Sequence, residues 1–225
     1  MSRRAYDNTR RAEQARLTRR SVLDAARELL VERGPAAVTM RDVAMHAGVS
    51  AETVYKTFRT KAALIKDVYD VTLVGDDEPI PMIDRPEIQA VLAASGPRDK
   101  LARYAFAARR VGERVGPLLA KLLAGARGGD PDLSEFREST NQERMIGAGS
   151  VVQHLAATGG LRADVDPDRA RDIVWTLISP EVYELLVGDR GWSPDEYEQW
   201  LAQALIDALA ARGGVAGHSR SRRPG

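Results

Sequence analysis

Residues 39–61 read TMRDVAMHAGVSAETVYKTFRTK. The stretch divides into two short helices around a tight turn. Thr39 N-caps the first helix, and Asp42, three residues on, closes a capping box. Val43, Ala44 and Ala47 face inward, and Ala44 must be small because the two helices cross closely there. Gly48 stands where the chain turns sharply and a left-handed conformation costs glycine least. Val49 fills the gap between the helices, Ser50 N-caps the second and Val54 anchors it. Small residue, glycine, apolar plug, cap and apolar anchor, in that order, predict a helix-turn-helix. Such a unit places its second helix in the major groove of DNA.

The second helix turns Ala51, Glu52, Thr53, Tyr55, Lys56 and Thr57 outward. Side chains of these kinds read base edges, so Ser50, Ala51, Thr53, Tyr55 and Lys56 are expected on the groove face. Tyr55 and Lys56 also reach phosphate oxygens, which set register without reading sequence. Thr60 caps a third helix with Lys61 in its first turn, where exposed N–H groups and the helix dipole attract phosphate. Thr39 offers the same contact from the first helix, and Arg41 points toward a base edge or the backbone. The rival reading is an ordinary helical hairpin with a solvated polar face. The flanking chain weighs against it: Val22, Ala25, Ala26, Leu29 and Leu30 recur at helical spacing, and Gly34-Pro35 stops that helix. A three-helix N-terminal domain results, with the motif as its second and third helices.

SVLDAARELLVERG (21–34) followed by VTMRDVAMHAGVSAETVYKTFRTKAALI (38–65) resembles the DNA-binding domain of the TetR family of bacterial transcriptional regulators. The resemblance covers roughly residues 16 to 76. Gly34, Thr39, Ala44, Gly48, Val49, Tyr55, Phe58, Lys61 and Leu64 fall where that family usually has such residues. It implies an all-helical homodimer, a ligand pocket in the C-terminal domain, and repression relieved by ligand. It also implies DNA-backbone roles for Thr39, Tyr55 and Lys61. Lys56 departs from the aromatic residue that often follows this tyrosine, and serves there as a cation instead.

The 225 residues allow one or two domains and a sizeable core, and the net charge of +1 does not by itself announce nucleic acid. Its distribution does. Arg3, Arg4, Arg10, Arg11, Arg16, Arg19 and Arg20 face only Asp7 and Glu13 ahead of the first core helix, while acids gather at Asp76 to Glu78, Asp164 to Asp168 and Asp195 to Glu198. Residues 1–15 are expected to form a flexible basic arm. Two readings of it stand side by side, a strand of chain along the minor groove and a solvated tail. The absence of cysteine excludes disulfides and thiolate metal sites and fits a reducing compartment. No apolar run reaches the roughly 18 residues of a membrane span, and MSRRAYDNT lacks the apolar centre of a signal peptide. A cytoplasmic protein without a membrane partner is expected.

His46, His154 and His218 are far apart, and none has a second histidine or carboxylate at the spacing of a metal site or a catalytic base. Neither a glycine-rich phosphate loop nor a nucleophile elbow occurs. The sequence therefore predicts no catalytic residue, no metal and no cofactor, and a protein that is not an enzyme.

Beyond the motif, the helix from Thr60 to Val74 links to the rest of the chain. GDDEPIPMIDRP (75–86) is a proline-broken loop, with a short helix expected near Glu87 to Ala94. Pro97 starts a helix that Gly116-Pro117 should kink or break. Asp130-Pro131 starts another, ending at Gly159-Gly160, and Asp166-Pro167 a third. Pro180 should kink that one, unless the helix restarts there. Ser193, Pro194 and Glu196 open the last helix, which Gly213-Gly214 should end. Nothing in the chain resembles a strand, so the fold class is all-α. The expected layout is an arm (1–15), the helix-turn-helix domain (16–76), a larger helical domain for ligand binding and dimerisation (77–213), and a disordered basic tail (214–225).

These features together predict a sequence-specific regulator that binds double-stranded operator DNA, a repressor released by a small-molecule effector. A structural DNA-binding protein without a ligand is the rival, and an enclosed cavity in the larger domain would separate the two. Tyr104, Met145, His154 and Trp175 are the pocket candidates, being large or polar on otherwise apolar helix faces, although such residues are more often plain core than ligand contacts. A two-fold dimer needs one self-complementary patch. Val174, Leu177, Trp200, Leu201, Leu205 and Ala208 lie on the apolar stripes expected to supply it. The alternative is that these stripes are core of a single subunit.

Overall fold

The computed structural model describes residues 3–76, 78 and 80–211. Among them ten α-helices follow in order: α1 (Arg3–Arg33), α2 (Met40–His46), α3 (Ala51–Phe58), α4 (Lys61–Val74), α5 (Pro86–Leu92), α6 (Pro97–Arg127), α7 (Pro131–Ala157), α8 (Pro167–Leu177), α9 (Pro180–Tyr183) and α10 (Pro194–Leu209). Short 3-10 turns lie at Pro35–Ala37 and Met82–Asp84, and a π-helical turn covers Glu184–Asp189. Extended pairing among the described residues is confined to an isolated bridge between Leu161 and Ala210. The fold is all-α, as the sequence predicts. No helix among these residues is long and apolar enough to cross a membrane.

The capping chemistry sets most of the boundaries. At α2 the Asp42 N–H donates to Thr39 Oγ1 at 3.2 Å, and the Thr39 N–H donates back to Asp42 Oδ2 at 2.9 Å. The hydrogen bonds to Asp42 hold its carboxyl below the usual carboxylate range. Asp166 caps α8, accepting from the N–H groups of Asp168 and Arg169. Ser179 caps α9, so the chain restarts at Pro180 rather than kinking through it. Ser193 and Glu196 close the box at α10. That helix ends at Leu209, short of Gly213-Gly214, which lie outside the described residues with the rest of the basic tail and His218.

Two expectations are corrected. Residues 1–15 were expected as a flexible arm, but α1 is one helix from Arg3 to Arg33. Those 31 residues hold no glycine or proline and are rich in alanine, arginine and glutamate, which lose little freedom in a helix. Of the kink or break expected at Pro117, the break does not occur, since α6 continues to Arg127. Leu118, Leu119, Leu122 and Leu123, immediately after it, are buried and secure the continuation. The preceding turn is secured by Gly112, where a Cβ would stand 2.6 Å from the ring of Tyr183. Only a bare backbone admits that ring so close.

The apolar side chains form two clusters. The first joins α1, α2, α3 and α4 to the C-terminal half of α6 and the start of α7, through Val115, Leu118, Leu119, Leu122, Leu133 and Phe136. The second joins the N-terminal half of α6 to the end of α7, α8, α9 and α10. The domain boundary expected near residue 76 coincides with the end of α4, where Gly75 caps at φ 88°. It does not coincide with a boundary of the core, because α6 belongs to both clusters.

Candidate nucleic-acid interface

The turn between α2 and α3 is built as its residues require. Gly48 has φ 67°, the Val49 N–H donates to the Ala44 carbonyl at 3.0 Å, and Val43, Ala44 and Val54 are buried. Ser50 caps α3: its Oγ accepts from the Thr53 N–H at 3.1 Å and lies 2.9 Å from Thr53 Oγ1. Val54 and Phe58 pin the inner face of α3 to the first core cluster. The opposite face is thereby fixed outward.

Thr39, Arg41, Ser50, Tyr55 and Lys56 are exposed on this surface, Tyr55 to 48% despite its ring. Ala51 and Thr53 are half-buried, Ala51 against the core cluster and Thr53 through its Ser50 partner. The Thr39 hydroxyl donates to Asp42 Oδ2 at 2.6 Å, which orients it at the head of α2. Lys61 is the least free of the expected contacts. Its Nζ donates to the Pro35 carbonyl, which ties the first turn of α4 to the 3-10 turn after α1.

Sequence reasoning missed Arg59. It is exposed and has φ 61°, the one positive φ outside glycine among the described residues. The Thr60 N–H donates to the Phe58 carbonyl at 2.6 Å across it, so Phe58–Arg59–Thr60 is a tight, strained γ-turn. Positive φ at a non-glycine residue is uncommon and costly, and strain of this kind concentrates at functional positions. No residue-level signal in the sequence marks it. Met45, 77% exposed on α2, was missed as well.

In the larger domain the expected pocket residues do not all line one cleft. Met145 and Trp175 line one open cleft of about 480 Å³, with Ser134, Arg137, Glu138, Asn141 and Gln142. Tyr104 is instead packed in the second core cluster, and burial pushes its hydroxyl up to about 12. His154 sits in the last turn of α7, away from that cleft. The physical reason is helical phase: His154 lies nine residues beyond Met145 on α7, two and a half turns along and on another face. A second cleft, of about 300 Å³, lies between α6 and the π-helical turn, lined by Gly116, Ala120, Arg127, Glu181 and Leu185 among others.

The expected dimer seam is corrected in part. Val174, Leu201 and Leu205 are fully buried within one chain, packed in the second core cluster, and have no surface to offer a partner. Leu177, Trp200 and Ala208, on the same helices, are half-exposed. The centre of the stripe is closed inside the subunit, and its flank is partly open.

The helix joining the two halves carries a further contact. Lys66 on α4 donates to Asp70 and stands 3.1 Å from Glu143 Oε1 of α7. Burial pulls the Lys66 ammonium down, but the hydrogen bonds to Asp70 and Glu143 outweigh it and raise its pKa.

Residues 22–68 match the family model described as bacterial regulatory proteins, tetR family. That stretch is a TetR-type DNA-binding domain. The chain is a helix-turn-helix, DNA-binding transcriptional regulator. Across 170 residues it is 28% identical to an uncharacterized HTH-type transcriptional regulator, YdeS, of Bacillus subtilis (strain 168), which spans 76% of this chain and 79% of that protein. In fold it is similar to the SmeT–triclosan complex, with TM-score 0.67 and 19% identity over 93% of this chain and 100% of that one. It is also similar to NalD, the secondary repressor of the MexAB-OprM multidrug efflux pump in Pseudomonas aeruginosa, with TM-score 0.62 and 19% identity over 88% and 98%. The TetR-family resemblance read from the motif is thus met by the DNA-binding domain, and the all-helical architecture by the fold.

Proposed function

We propose that this regulator is a cytoplasmic homodimeric repressor that binds a two-fold symmetric operator and leaves it when a small molecule occupies the larger domain. The observation that carries the DNA-binding half of this reading is the geometry of α3. Its inner face is locked by Val54 and Phe58, and its outer face presents Tyr55 and Lys56 beside Ser50 and Thr53. In this reading Ser50, Ala51, Thr53, Tyr55 and Lys56 line the major groove. Thr39 and Lys61 contact phosphate, Arg41 reaches a base edge or the backbone, and Arg59 adds a cation at the end of the reading helix. Lys61 exchanges its Pro35 partner for a phosphate on docking.

The ligand half is supported by the open cleft with Met145 and Trp175 as walls, and by the fold it shares with a protein solved in complex with triclosan. Repression is supported by the shared fold with NalD, itself a repressor. Dimerisation is assigned to the flank of α8 and α10, with Leu177, Trp200 and Ala208 at the seam and Val174, Leu201 and Leu205 backing it from within.

Selection of bound fragments from random double-stranded DNA tests the reading. The expected product is a two-fold symmetric site with half-sites about 34–36 Å apart, or a multiple of that. Enrichment of no sequence at all would overturn it.

A further inference from the structure

Arg144 lies at the middle of α7 and is held differently from Arg109 and Arg85. Arg109 holds Glu113 at 3.0 Å and Glu198 at 2.9 Å, and Arg85 holds Asp76 at 2.5 Å. Arg144 has no carboxylate within ion-pair distance among the described residues. Its guanidinium donates to Asn141 Oδ1 at 3.0 Å and to the Trp175 carbonyl at 2.7 Å, and stacks over the Trp175 ring at 5.1 Å. Its Nε is sealed from solvent without a partner. Burial pulls its pKa down; the carboxylate acting on it most strongly, Glu181, stands beyond ion-pair distance.

Three tyrosines lie within reach of this cation's charge. Tyr69, Tyr104 and Tyr197 are all buried, and the Arg144 charge acts on each. None of their hydroxyls has a hydrogen-bond partner among the described residues. A part-used guanidinium with its Nε sealed is costly, since buried polar groups are ordinarily satisfied, whereas the three unpaired hydroxyls are not sealed and stay open to a partner. A cation taken from water without a counter-charge is costlier still. Asn141 and Trp175, which hold the guanidinium, are also walls of the cleft of about 480 Å³.

We propose that Arg144, with the hydroxyls of Tyr69, Tyr104 and Tyr197, is the recognition point for an organic anion, a carboxylate carried on an apolar body. The guanidinium supplies the counter-charge and its fork fits two carboxylate oxygens. The hydroxyls donate to the same oxygens, and Trp175 and Met145 cover the apolar body. This inference rests on the reading that the larger domain takes a small-molecule effector, and it names the chemical class of that effector.

The test uses the full-length protein and four probes: decanoate, para-butylbenzoate, decanol and decyltrimethylammonium. Binding is followed by calorimetry and by the shift in melting temperature. Both acids should bind at least about tenfold more tightly than the alcohol and the ammonium, the worth of one charge-assisted hydrogen bond. Arg144→Met should weaken the acids by about tenfold to a hundredfold and leave decanol unchanged. Without ligand, the same variant should melt no lower than the parent, because a partly buried charge without an ion-pair partner has been removed. Tyr104→Phe keeps the packing and loses one donor; it should weaken the acids alone, and it decides the matter if Arg144→Met does not fold. Equal or tighter binding of the ammonium or the alcohol overturns the proposal. So does an acid preference that survives Arg144→Met, or no acid binding at millimolar concentration. Operator release is measured separately. Acids that bind through Arg144 without releasing DNA support this site and overturn effector release. Release by a neutral compound, with no Arg144-dependent acid preference, supports effector release and overturns this site.

Discussion

Lys66 of α4 and Glu143 of α7 stand 3.1 Å apart, one residue before Arg144 reaches for Trp175. The bridge joins the helix that supports the DNA-reading unit to the helix that walls the cleft. Glu143 is half exposed and Lys66 keeps 29% of its side chain in solvent, so the pair contributes little to stability, about 1 kcal/mol or less. Its value is positional. Glu143→Gln should leave the melting temperature nearly unchanged while reducing the effect of a bound effector on operator affinity. Coupling is reciprocal, so the effect of operator on effector affinity should shrink by the same factor. Titrating each ligand in the presence of the other checks this, and undiminished coupling would show that the signal travels elsewhere.

Phosphate contacts and base contacts should separate by salt. Lys61→Ala is expected to weaken binding to all sequences alike and to lower the salt slope by about one unit. Thr53→Ala should instead change which sequence is preferred. A salt titration on operator and on unrelated DNA distinguishes them; normal binding by Lys61→Ala throughout would place the protein differently on the duplex.

Arg59 offers an opposition between stability and function. Arg59→Gly relieves the strained φ of 61° and should stabilise the fold by about 1 kcal/mol, read from chemical denaturation. Operator affinity should fall, since a cation beside the reading helix is lost. A variant that is more stable and binds DNA as before would leave the strain without a role in recognition.

Acid should undo the caps. Hydrogen bonds hold the Asp42 carboxyl below its ordinary 3.8 and that of Glu196 below its ordinary 4.5. A group whose folded pKa is depressed contributes stability above its unfolded pKa and loses it as pH falls through the folded value. Both caps should therefore be intact at neutral pH and fail below about pH 4. Asp42→Asn, which cannot ionise, should lower stability at pH 7 and flatten the acid limb of the stability curve. An unchanged acid limb would assign that loss to other carboxylates.

The dimer seam is best probed at its flank. Leu205→Glu would bury a charge inside one subunit and unfold it, which says nothing of dimerisation. Ala208→Glu, on the half-exposed face of α10, should give a folded monomer with weakened operator binding. Light scattering reads the outcome, and a dimer that persists would move the seam elsewhere.

The reading unit was legible because its signals are local. Thr39, Asp42, Gly48, Ser50 and Val54 act within a few residues of each other, and capping and turn geometry depend on little else. The helix starts at Pro131, Pro167 and Pro194 were legible for the same reason. What depends on distant packing was not. Pro117 suggests a break until Leu118 and Leu122 are seen to be held by the first core cluster. The stripe of α10 suggests an interface until Leu201 and Leu205 are seen packed in the second. Arg144 carried no sequence signal, because an arginine in a polar stretch of helix gives no hint of being turned inward without a carboxylate. Arg59 looked like an ordinary loop cation because a residue type does not report φ.

The span of α6 across both core clusters bears on how such regulators can be recombined. The leucines that finish the reading head, Leu118, Leu119 and Leu122, lie some forty residues past the turn where a designer would cut. A chimera joined after Gly75 would set those leucines against a foreign surface, and a head taken alone would leave Val54's neighbours on α1 and α4 without their far wall. The transferable part is therefore not a continuous piece of sequence. It is the first 75 residues together with the C-terminal half of α6 and the first turns of α7. Exchange of operator specificity between relatives is better sought by repainting the outward face of α3, which leaves that shared packing alone.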